Sequence, residues 1–320
     1  MTLTQLEAFV AAASAQTFTA AAKQLDMTQP AMSDLIRRLE AELGAKLFQR
    51  SGRRLLLTQA GEQLLPHASS AVRSAVQGAE AVKTLSSLAG GTATLGLLRN
   101  VGFYFGTDLA KRFRQLYPKV HIRLVGQNSA ETLSDVLDGV LEAGLVTLPL
   151  EDERLEIVPL ARDEVMYVSA SLERTKTPPD IADICKAPLV LYDAHYARTD
   201  PARRQLNTRA SMRGLTIDPE IEVEYLDTAL SLAADGFGDT IAPRAAIETE
   251  VAPRGLQCVS MAEPMYDTLA LIKRRGEFLS APTRELARLA HSALVAYQGS
   301  SRGTAEMLPN TDKAVAAFLG

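Results

Sequence analysis

The sequence contains few residues of the types that bind metals or form disulfide bonds. Its two cysteines, Cys185 and Cys258, lie far apart and have no partner at metal-ligand spacing. We expect both to be small buried residues in a reducing compartment, with a regulatory disulfide as the alternative. The histidines are equally scattered and show no metal-ligand pattern: His67, His121, His195 and His291. The sequence therefore predicts no bound metal.

Motifs that identify common enzyme classes are also absent. Gly236 and Gly238 lack the third glycine and the strand-to-helix context of a dinucleotide-binding fingerprint. No Gly-Lys-Ser/Thr phosphate loop and no Gly-x-Ser-x-Gly nucleophile turn occurs. Carboxylates are plentiful but form no recognisable catalytic pair. We therefore expect neither enzymatic activity nor a cofactor.

Length and charge indicate a multidomain protein with one basic segment. A chain of 320 residues corresponds to about two or three domains. No apolar run reaches membrane-spanning length and no signal peptide opens the chain, so we expect a cytoplasmic protein without membrane contact. The formal net charge is −4, yet residues 37–54 carry six basic and two acidic residues. Such a concentration of positive charge favours contact with nucleic acid.

Residues 17–61 have the pattern of two short helices, a tight turn and a hairpin. Thr28 is placed to cap the second helix, Pro30 fits its first turn, and Gly44 fits its end. One side of this helix is apolar and is expected to lie in a core: Met32, Leu35, Ile36, Leu39 and Leu43. The opposite edge is polar and favours contact with a DNA major groove: Gln29, Ser33 and Arg37.

The hairpin that follows is rich in arginine. Leu47–Phe48 and Leu55–Leu57 are predicted as short strands around the loop 49–54, which contains a Ser-Gly turn signal. Three guanidinium groups crowd this loop, those of Arg50, Arg53 and Arg54. We expect them to contact phosphates or a narrow minor groove, although Arg50 has the alternative role of stabilising the hairpin.

In this order the residues resemble the N-terminal winged helix-turn-helix domain of LysR-type transcriptional regulators. The resemblance is carried by Phe18-Thr19-x-Ala21-Ala22, Thr28-Gln29-Pro30-Ala31-x-Ser33, Leu43-Gly44, Leu47-Phe48 and Arg50. It implies a domain over residues 1–58 that binds double-stranded DNA at an interrupted palindrome. The candidate DNA-contacting residues are Thr28, Gln29, Pro30, Ala31, Ser33, Arg37, Arg38, Arg50, Arg53 and Arg54.

Asp34 departs from the family pattern, in which arginine, glutamine or tyrosine is common. Its carboxylate either accepts a hydrogen bond from cytosine N4 or pairs with Arg38 one helical turn later. Of the two interpretations, the pairing is favoured.

Residues 59–89 are predicted as one long helix. Its small and apolar residues alternate in steps of three and four, the spacing of a coiled-coil seam: Leu65, Ala68, Val72, Ala75, Ala79 and Val82. A helix packed on its own chain is the alternative. The resemblance implies that this helix dimerises the DNA-binding heads and that effector domains join dimers into homotetramers. RNA polymerase is a further candidate partner.

Strands and helices alternate from residue 92 onwards, which predicts a mostly parallel α/β sheet. One of the helices is expected over Ser129–Leu141. This part resembles the LysR effector domain, residues 92–300, whose two lobes are similar to periplasmic binding proteins. The expected lobes are residues 92–163 with 265–300, and residues 164–264. The tail 301–320, with a short helical run near Ala314–Leu319, lies beyond the usual family end.

Ligands of such folds bind where the lobes meet, beyond the carboxyl ends of strands. The loops expected there supply the candidate effector-binding residues Leu98, Arg99, Asn100, Gln127, Asn128, Ser129, Tyr192 and His195. Arg99 either pairs with an anionic ligand or forms an ordinary salt bridge, and Ser129 either binds ligand or only caps a helix. We expect a small polar or anionic co-inducer.

These patterns predict a sequence-specific DNA-binding transcriptional regulator. Its C-terminal domain would sense a small molecule and change DNA binding or bending by the N-terminal heads. The alternative is a cytoplasmic small-molecule-binding α/β protein, or an enzyme, with a helical appendage. The arginine-rich hairpin favours the regulator, because it has no evident purpose in an enzyme.

Overall fold

The structure, a computed structural model, describes residues 1–51, 54–84, 90–150, 152–249 and 252–320. The side chains of residues 50, 51, 54, 77 and 80–84 lie outside this description. The chain divides into two compact units, Met1–Ser86 and Ser87–Gly320. Each unit has its own hydrophobic core.

The first unit is helical with a small antiparallel hairpin. Its elements are α1 Leu3–Ala15, α2 Phe18–Gln24, α3 Gln29–Leu43, β1 Phe48–Ser51, β2 Arg54–Leu57 and α4 Gln59–Thr84. The predicted boundaries of α3 are confirmed. The Thr28 hydroxyl accepts a hydrogen bond from the Ala31 N–H, Pro30 lies in the first turn, and Gly44 ends the helix with φ +67°.

The apolar side of α3 packs into the core of this unit, with one exception. Met32, Ile36 and Leu39 are buried, and Leu35 packs against them from the edge. The expectation that Leu43 belongs to this core is wrong, because its side chain is 42% exposed. It has the right angular position but occupies the last residue of α3, one turn beyond the buried Leu39.

The hairpin extends further than its sequence pattern indicates. The strands pair from Phe48 with Leu57 to Ser51 with Arg54, so most of the predicted loop 49–54 belongs to the strands. Backbone hydrogen bonds do not depend on side-chain polarity, so the strands continue beyond the apolar residues from which they were predicted. The Phe48 ring lies 5.4 Å from that of Phe9, which fixes the hairpin against α1.

The predicted coiled-coil seam lies on helix α4, and its two halves have different surroundings. Leu65, Ala68 and Val72 pack into the core of their own unit, as in the alternative interpretation. Ala75 and Ala79 are exposed. Val82 has no described side chain, and the predicted end of the helix, residues 85–89, lies outside the described residues.

The second unit alternates strands and helices. Its strands are β3 Thr92–Leu98, β4 His121–Gln127, β5 Ala143–Leu148, β6 Leu155–Ser169, β7 Val190–Leu191, β8 Ile221–Glu222, β9 Thr240–Pro243, β10 Gln257–Val259, β11 Met265–Arg274 and β12 Glu306–Met307. Its helices are α5 Gly102–Phe105, α6 Asp108–Leu116, α7 Ser129–Leu137, α8 Ile181–Ile184, α9 Pro201–Met212, α10 Leu226–Ala234, α11 Arg244–Ile247, α12 Ala281–Gln298 and α13 Thr311–Leu319.

The main sheet has the strand order β10-β6-β11-β5-β3-β4, with β9 and β12 also paired to β6. The prediction of a mostly parallel sheet is wrong. Strand β3 is parallel to β4 and β5, whereas β6 pairs antiparallel with β9, β10, β11 and β12. The long strands β6 and β11 run side by side from Leu155 and Arg274 at one end to Val165 and Met265 at the other.

Two large hydrophobic cores flank this pair of long strands. One contains buried residues of β3, β5, α6 and α12, among them Leu95 and Phe113. The other is built from residues of the range 165–265, among them Tyr167 and Leu206. Because β6 contributes Leu160 to the first core and Val165 to the second, it connects both.

The tail, for which the sequence suggests no role, packs onto the first of these cores. Strand β12 pairs with β6, Met307 opposite Ala161. The predicted helical run is present as α13, and its Phe318 side chain is 0% exposed. Lys273 donates a hydrogen bond to the Phe318 carbonyl at 2.5 Å. These contacts make the tail an integral part of the second unit.

Two further expectations need correction. Helix α7 ends at Leu137 rather than Leu141, because Gly139 turns the chain with φ +68°. Cys258 is exposed rather than buried, since it lies on β10 at the end of the main sheet, whereas Cys185 is half-buried; both are free thiols. Among the described helices, none combines the length and apolarity that crossing a bilayer requires.

Candidate nucleic-acid interface and ligand cavity

The first turns of α3 present an exposed polar surface. Thr28, Gln29, Pro30 and Ala31 are exposed, and Ser33 one turn later is half-exposed. Further along the helix, the side chain of Arg37 is 73% exposed and that of Arg38 is 68% exposed. The helix therefore offers amide, hydroxyl and guanidinium groups on the side opposite to Met32 and Leu39.

Asp34 forms ion pairs with both arginines of this surface. Its Oδ2 lies 2.7 Å from Arg38 Nε, and its Oδ1 accepts a hydrogen bond from Arg37. The favoured pairing of Asp34 with Arg38 is thus confirmed. The hydrogen bond from Arg37, with the charge of Arg38, lowers the pKa of Asp34, so the carboxylate stays ionised at neutral pH. This arrangement restricts where both guanidinium groups can point.

Glu40 connects α3 to the hairpin, a role that the sequence pattern did not reveal. Its Oε1 accepts hydrogen bonds from the backbone N–H of Leu47 at 2.9 Å and of Phe48 at 3.4 Å. Its Oε2 lies 2.7 Å from Lys46 Nζ. An acidic residue beside the apolar side of an amphipathic helix was the available signal. The contacts hold the start of β1 in a fixed position against α3.

The arginine-rich hairpin is described only in part. The backbone of Arg50 lies in β1 and that of Arg54 in β2, while the side chains of both are outside the described atoms. Arg53 lies entirely outside the described residues. The backbone geometry places Arg50 opposite Leu55.

In the second unit, seven of the eight candidate ligand-binding residues line one small cavity of about 30 Å³. They are Leu98, Arg99, Asn100, Gln127, Asn128, Ser129 and Tyr192. The ends of β3, β4 and β7 bring them together, as expected from the strand-end rule. The cavity does not include His195, whose exposed ring lies against Tyr196 at 4.8 Å. Its backbone N–H donates to Glu224 at 3.0 Å instead.

Arg99 forms salt bridges within the chain. Its Nη1 lies 2.9 Å from Asp193 Oδ1 and 2.7 Å from Glu224 Oε1, and it also donates to the Glu224 carbonyl at 2.9 Å. The guanidinium stacks 5.4 Å from the Tyr225 ring centre. Of the two alternatives for Arg99, the structure shows the ordinary salt bridge.

Asn128, not Ser129, caps helix α7. The Asn128 Oδ1 accepts a hydrogen bond from the Ala130 N–H at 2.9 Å, while its Nδ2 donates to Asp193 at 3.1 Å and Asp200 at 3.4 Å. The Ser129 hydroxyl accepts from the Thr147 N–H at 3.0 Å. Capping as the role of Ser129 is therefore wrong, because the helix begins at Ser129 itself, one residue earlier than that role requires.

Three buried carboxyl groups complete the cavity wall: Asp193, Asp200 and Asp267. Burial and the nearby charge of Asp200 raise the pKa of Asp193 to about 7. Burial likewise raises the pKa of Asp200, and that of Asp267 well above its usual range. Carboxyl groups gathered in this way disfavour one another's ionisation. The cavity is thus acid-rich, and Arg99 is already neutralised.

A larger cavity of about 500 Å³ adjoins the small one at Arg99 and Asn100. Its wall is mainly apolar and aromatic, with a few polar groups: Gly102, Phe103, Tyr225, Leu226, Asp227, Leu230, Ser231, Ala246, Thr249, Ala252 and Pro253. This volume is in the range of small-molecule sites.

Family comparison identifies the two units. Residues 3–62 match the bacterial regulatory helix-turn-helix proteins of the lysR family. Residues 86–295, well over half of the chain, match the LysR substrate binding domain. The chain belongs to the LysR family. It is a DNA-binding transcriptional regulator with an effector-binding domain, and LysR regulators bind small-molecule effectors in that domain.

Several relatives match this LysR regulator over most of their length. HTH-type transcriptional regulator IlvR of Caulobacter vibrioides is 29% identical over 287 residues, 88% of this chain and 95% of that protein. An uncharacterised HTH-type regulator of Bacillus subtilis, YcgK, is 27% identical over 297 residues, 87% of this chain and 90% of that protein. These relatives are named as regulators rather than enzymes.

Solved structures share the fold. Full-length OxyR from Pseudomonas aeruginosa has a TM-score of 0.69 at 21% identity, covering 94% of this chain and 96% of that one. Full-length CbnR in complex with its target DNA has a TM-score of 0.61 at 20% identity, covering 92% of this chain and 100% of that one. The predicted fold class, a winged helix-turn-helix followed by a LysR effector domain, is confirmed.

Proposed function

We propose that the exposed edge of α3 reads DNA bases in the major groove. Gln29 would recognise adenine through paired hydrogen bonds, with Ser33 and Arg37 on neighbouring edges or phosphates and Pro30 and Ala31 near thymine methyl groups. The observation that carries this assignment is the exposure of these groups along one edge of α3 in a lysR-family helix-turn-helix unit. Because Asp34 is paired with Arg37 and Arg38, we assign it the positioning of both arginines rather than base contact.

The hairpin belongs to the same proposed domain, which spans residues 1–58. It would contribute affinity for DNA rather than sequence specificity. Arg50, Arg53 and Arg54 are assigned to phosphate or minor-groove contacts, since guanidinium groups bind phosphate oxygens regardless of sequence. Thr28 and Arg38, at the two ends of the exposed edge of α3, are assigned to backbone phosphates.

Helix α4, within the predicted linker 59–89, would join two heads into a dimer. Its first half is occupied by its own core, so the exposed second half is what remains for a partner helix. Ala75, Val76 and Ala79 lie on that half, and Val76 is a large exposed apolar side chain. Small residues allow two helices to approach closely. A dimer would read both halves of an interrupted palindrome, and homotetramers and contact with RNA polymerase are further proposals.

The effector would bind at the small cavity, between the proposed lobes 92–163 with 265–300 and 164–264. Asn128 from the first range and Asp193 from the second are hydrogen-bonded across it. We propose a small polar effector; an anionic one has less support, because Arg99 is paired and three carboxyl groups line the wall. The site of action would be the cytoplasm, where a bacterial chromosome lies.

A gel shift on the DNA upstream of the protein's own gene tests the regulator function. We expect specific retention in modest salt that weakens steeply as salt rises, since counterions are released on binding. Calorimetry against a metabolite panel, repeated with Ser129→Ala and Arg99→Ala, tests the effector site. Absence of specific retention would overturn the DNA-reading assignment, and unchanged effector affinity in both variants would overturn the cavity.

A further inference from the structure

Asp267 is a buried carboxyl group with an unsatisfied oxygen atom in the described part of the chain. It lies on β11, its exposed fraction is 7%, and its side chain lines the small cavity. Its Oδ1 accepts no hydrogen bond from any described residue. A buried polar atom of this kind costs free energy unless water or a ligand satisfies it. The group is therefore open toward the cavity.

The cationic groups near the cavity are engaged elsewhere. Arg99 pairs with Asp193 and Glu224. Arg203 Nη2 lies 2.6 Å from Glu222 Oε1, and the Arg203 backbone N–H serves as a donor to Asp200 at 2.9 Å. Within the described ranges no cation is paired with Asp267, so a positive charge is the missing complement of this wall.

The remaining open group of the wall is also an acceptor. Gln127 donates through Nε2 to Asp135 at 3.0 Å, which orients its amide and leaves Oε1 buried without a partner. The ionised form of Asp267 only accepts hydrogen bonds, so a ligand that satisfies both Gln127 and ionised Asp267 must bring hydrogen-bond donors. A primary ammonium group has three donors, no acceptor and a positive charge.

Size and geometry select an ammonium group over a metal ion. A cavity of about 30 Å³ holds roughly one or two water-sized groups, which is the size of an ammonium head. In the described parts of the chain, no three His, Cys, Asp or Glu side chains converge as metal ligands. The rest of the ligand has space in the adjoining larger cavity, where Phe103, Leu226 and Leu230 offer apolar contacts.

We propose that the effector is a small amine whose primary ammonium head enters the small cavity and pairs with Asp267. The proposal rests on the proposed function, in which this cavity is the effector site. Asp193 and Asp200 supply further negative charge, and Asn128 keeps both carboxyl groups in place.

Binding of the ammonium head is coupled to proton release. Burial, and the carboxylates Asp200, Asp163 and Asp193, raise the pKa of Asp267 well above its usual range, which favours the protonated carboxyl group when the cavity holds no cation. The incoming ammonium replaces that proton, which passes to the buffer. The charged and titratable groups around Asp267 and the cavity are Arg99, Glu131, Asp135, Asp163, Tyr192, Asp193, Asp200, Arg203 and Glu224 among the described residues. Because the raised pKa values of Asp193, Asp200 and Asp267 make these three groups ionise at higher pH than usual, amine affinity should increase with pH around neutrality.

The test is calorimetry on the full-length protein with n-butylamine, n-butanol and butyrate, which have similar shapes and different charges. Titrations in two buffers of different ionisation enthalpy measure the protons released. Asp267→Asn keeps the side-chain shape and removes the charge, and Asp152→Asn is the matched control outside both cavities. Gln127→Leu is a second variant, and circular dichroism checks folding.

We expect butylamine to bind more tightly than butanol or butyrate and to release protons. Asp267→Asn should weaken butylamine by about thirtyfold or more, the effect of removing one partner of a buried charge pair, while Asp152→Asn leaves it unchanged. Equal or tighter binding of butyrate, unchanged amine affinity in Asp267→Asn, or binding of none of the three would overturn the proposal. If a neutral or anionic metabolite then binds in a Ser129-dependent manner and alters the gel shift, the proposed function stands without this inference.

Discussion

The connection between α3 and the hairpin should depend on Glu40. Its carboxylate is a charged acceptor for the backbone N–H of Leu47, whose residue is 1% exposed. A hydrogen bond to a charged group is worth about 1.5–3 kcal/mol. The longer contact with Phe48 and the ion pair with the mostly exposed Lys46 add little. We therefore expect Glu40→Ala to destabilise this connection by about 2–3 kcal/mol, and Glu40→Gln by about 1 kcal/mol.

Hydrogen–deuterium exchange on the full-length protein measures this effect where it occurs. The amides of Leu47 and Phe48 should exchange faster in Glu40→Ala, because an exposed donor is open to solvent more often. Glu42→Ala is the matched control, since Glu42 lies on the same helix and is exposed. A gel shift should show weaker DNA binding for Glu40→Ala, because the hairpin loses its fixed position against α3.

A specific result would refute this reasoning. If exchange around Leu47 and the stability of the first unit are the same in Glu40→Ala as in Glu42→Ala, the carboxylate does not hold the hairpin. Loss of DNA binding without faster exchange would instead assign Glu40 to direct contact with DNA.

The remaining predictions concern four separate residues. Gln29→Ala should relax specificity at one base pair and cost about 1–3 kcal/mol of binding, measured by competition with single-base variants of the site. Arg53→Ala should lower the salt slope of binding by about one unit, and an identical slope would show that Arg53 never contacts phosphate. Burial raises the pKa of Asp267, so the folded chain retains a proton that the unfolded chain loses above about pH 4. Stability then falls as pH rises, and Asp267→Asn should raise Tm near neutral pH but not near about pH 4. Phe318→Ala should destabilise the second unit by about 3–5 kcal/mol in denaturant titrations, with exposed Lys313→Ala as its control.

Local signals made the first unit predictable from its sequence. A hydroxyl cap at Thr28, a proline in the first turn and a glycine at the end each act within a few residues, so they mark the bounds of α3 directly. Burial at Leu43 depends on how far other elements extend, and no local pattern contains that information. The same holds for Glu40, whose partners lie seven and eight residues away.

Strand pairing in the second unit depends on contacts that are distant in sequence. The alternation of strands and helices is visible in the sequence, but the antiparallel pairing of β6 with β11 joins residues about 100 positions apart. Strand β6 runs from Leu155 to Ser169, and its end carries the uninterrupted apolar residues Val165–Val168. Its first half contains Pro159, a residue that is rare inside strands, between the apolar Val158 and Leu160, so the sequence gives no clear strand signal there.

The residues of the small cavity likewise fall into those that a local sequence rule predicts and those that it does not. Residues that follow the ends of β3 and β4 were predictable, because these parallel strands bring their carboxyl ends to one edge of the main sheet, whereas β7 lies in a separate two-stranded sheet with β8. Asp267 lies within the antiparallel strand β11, and Asp200 caps α9, so neither follows from that rule. A lone acidic residue in the apolar strand Met265–Ile272 was the available signal, since a buried carboxyl group requires a reason.

Ligand binding in the cavity would affect the rest of the second unit through the contacts of Arg99. Arg99 follows β3, yet its partners Asp193 and Glu224 lie in two loops of the other core. It also lines both cavities. A cation placed beside Asp193 would compete with Arg99 for the same carboxylate and repel its guanidinium, whereas an anion would draw the guanidinium away from both acids. Either charged ligand would loosen the connection between β3 and these loops, whereas a neutral ligand would leave the ion pairs of Arg99 in place. The charge of the effector therefore determines whether this connection changes, so the amine, alcohol and carboxylate series tests the conformational response as well as affinity.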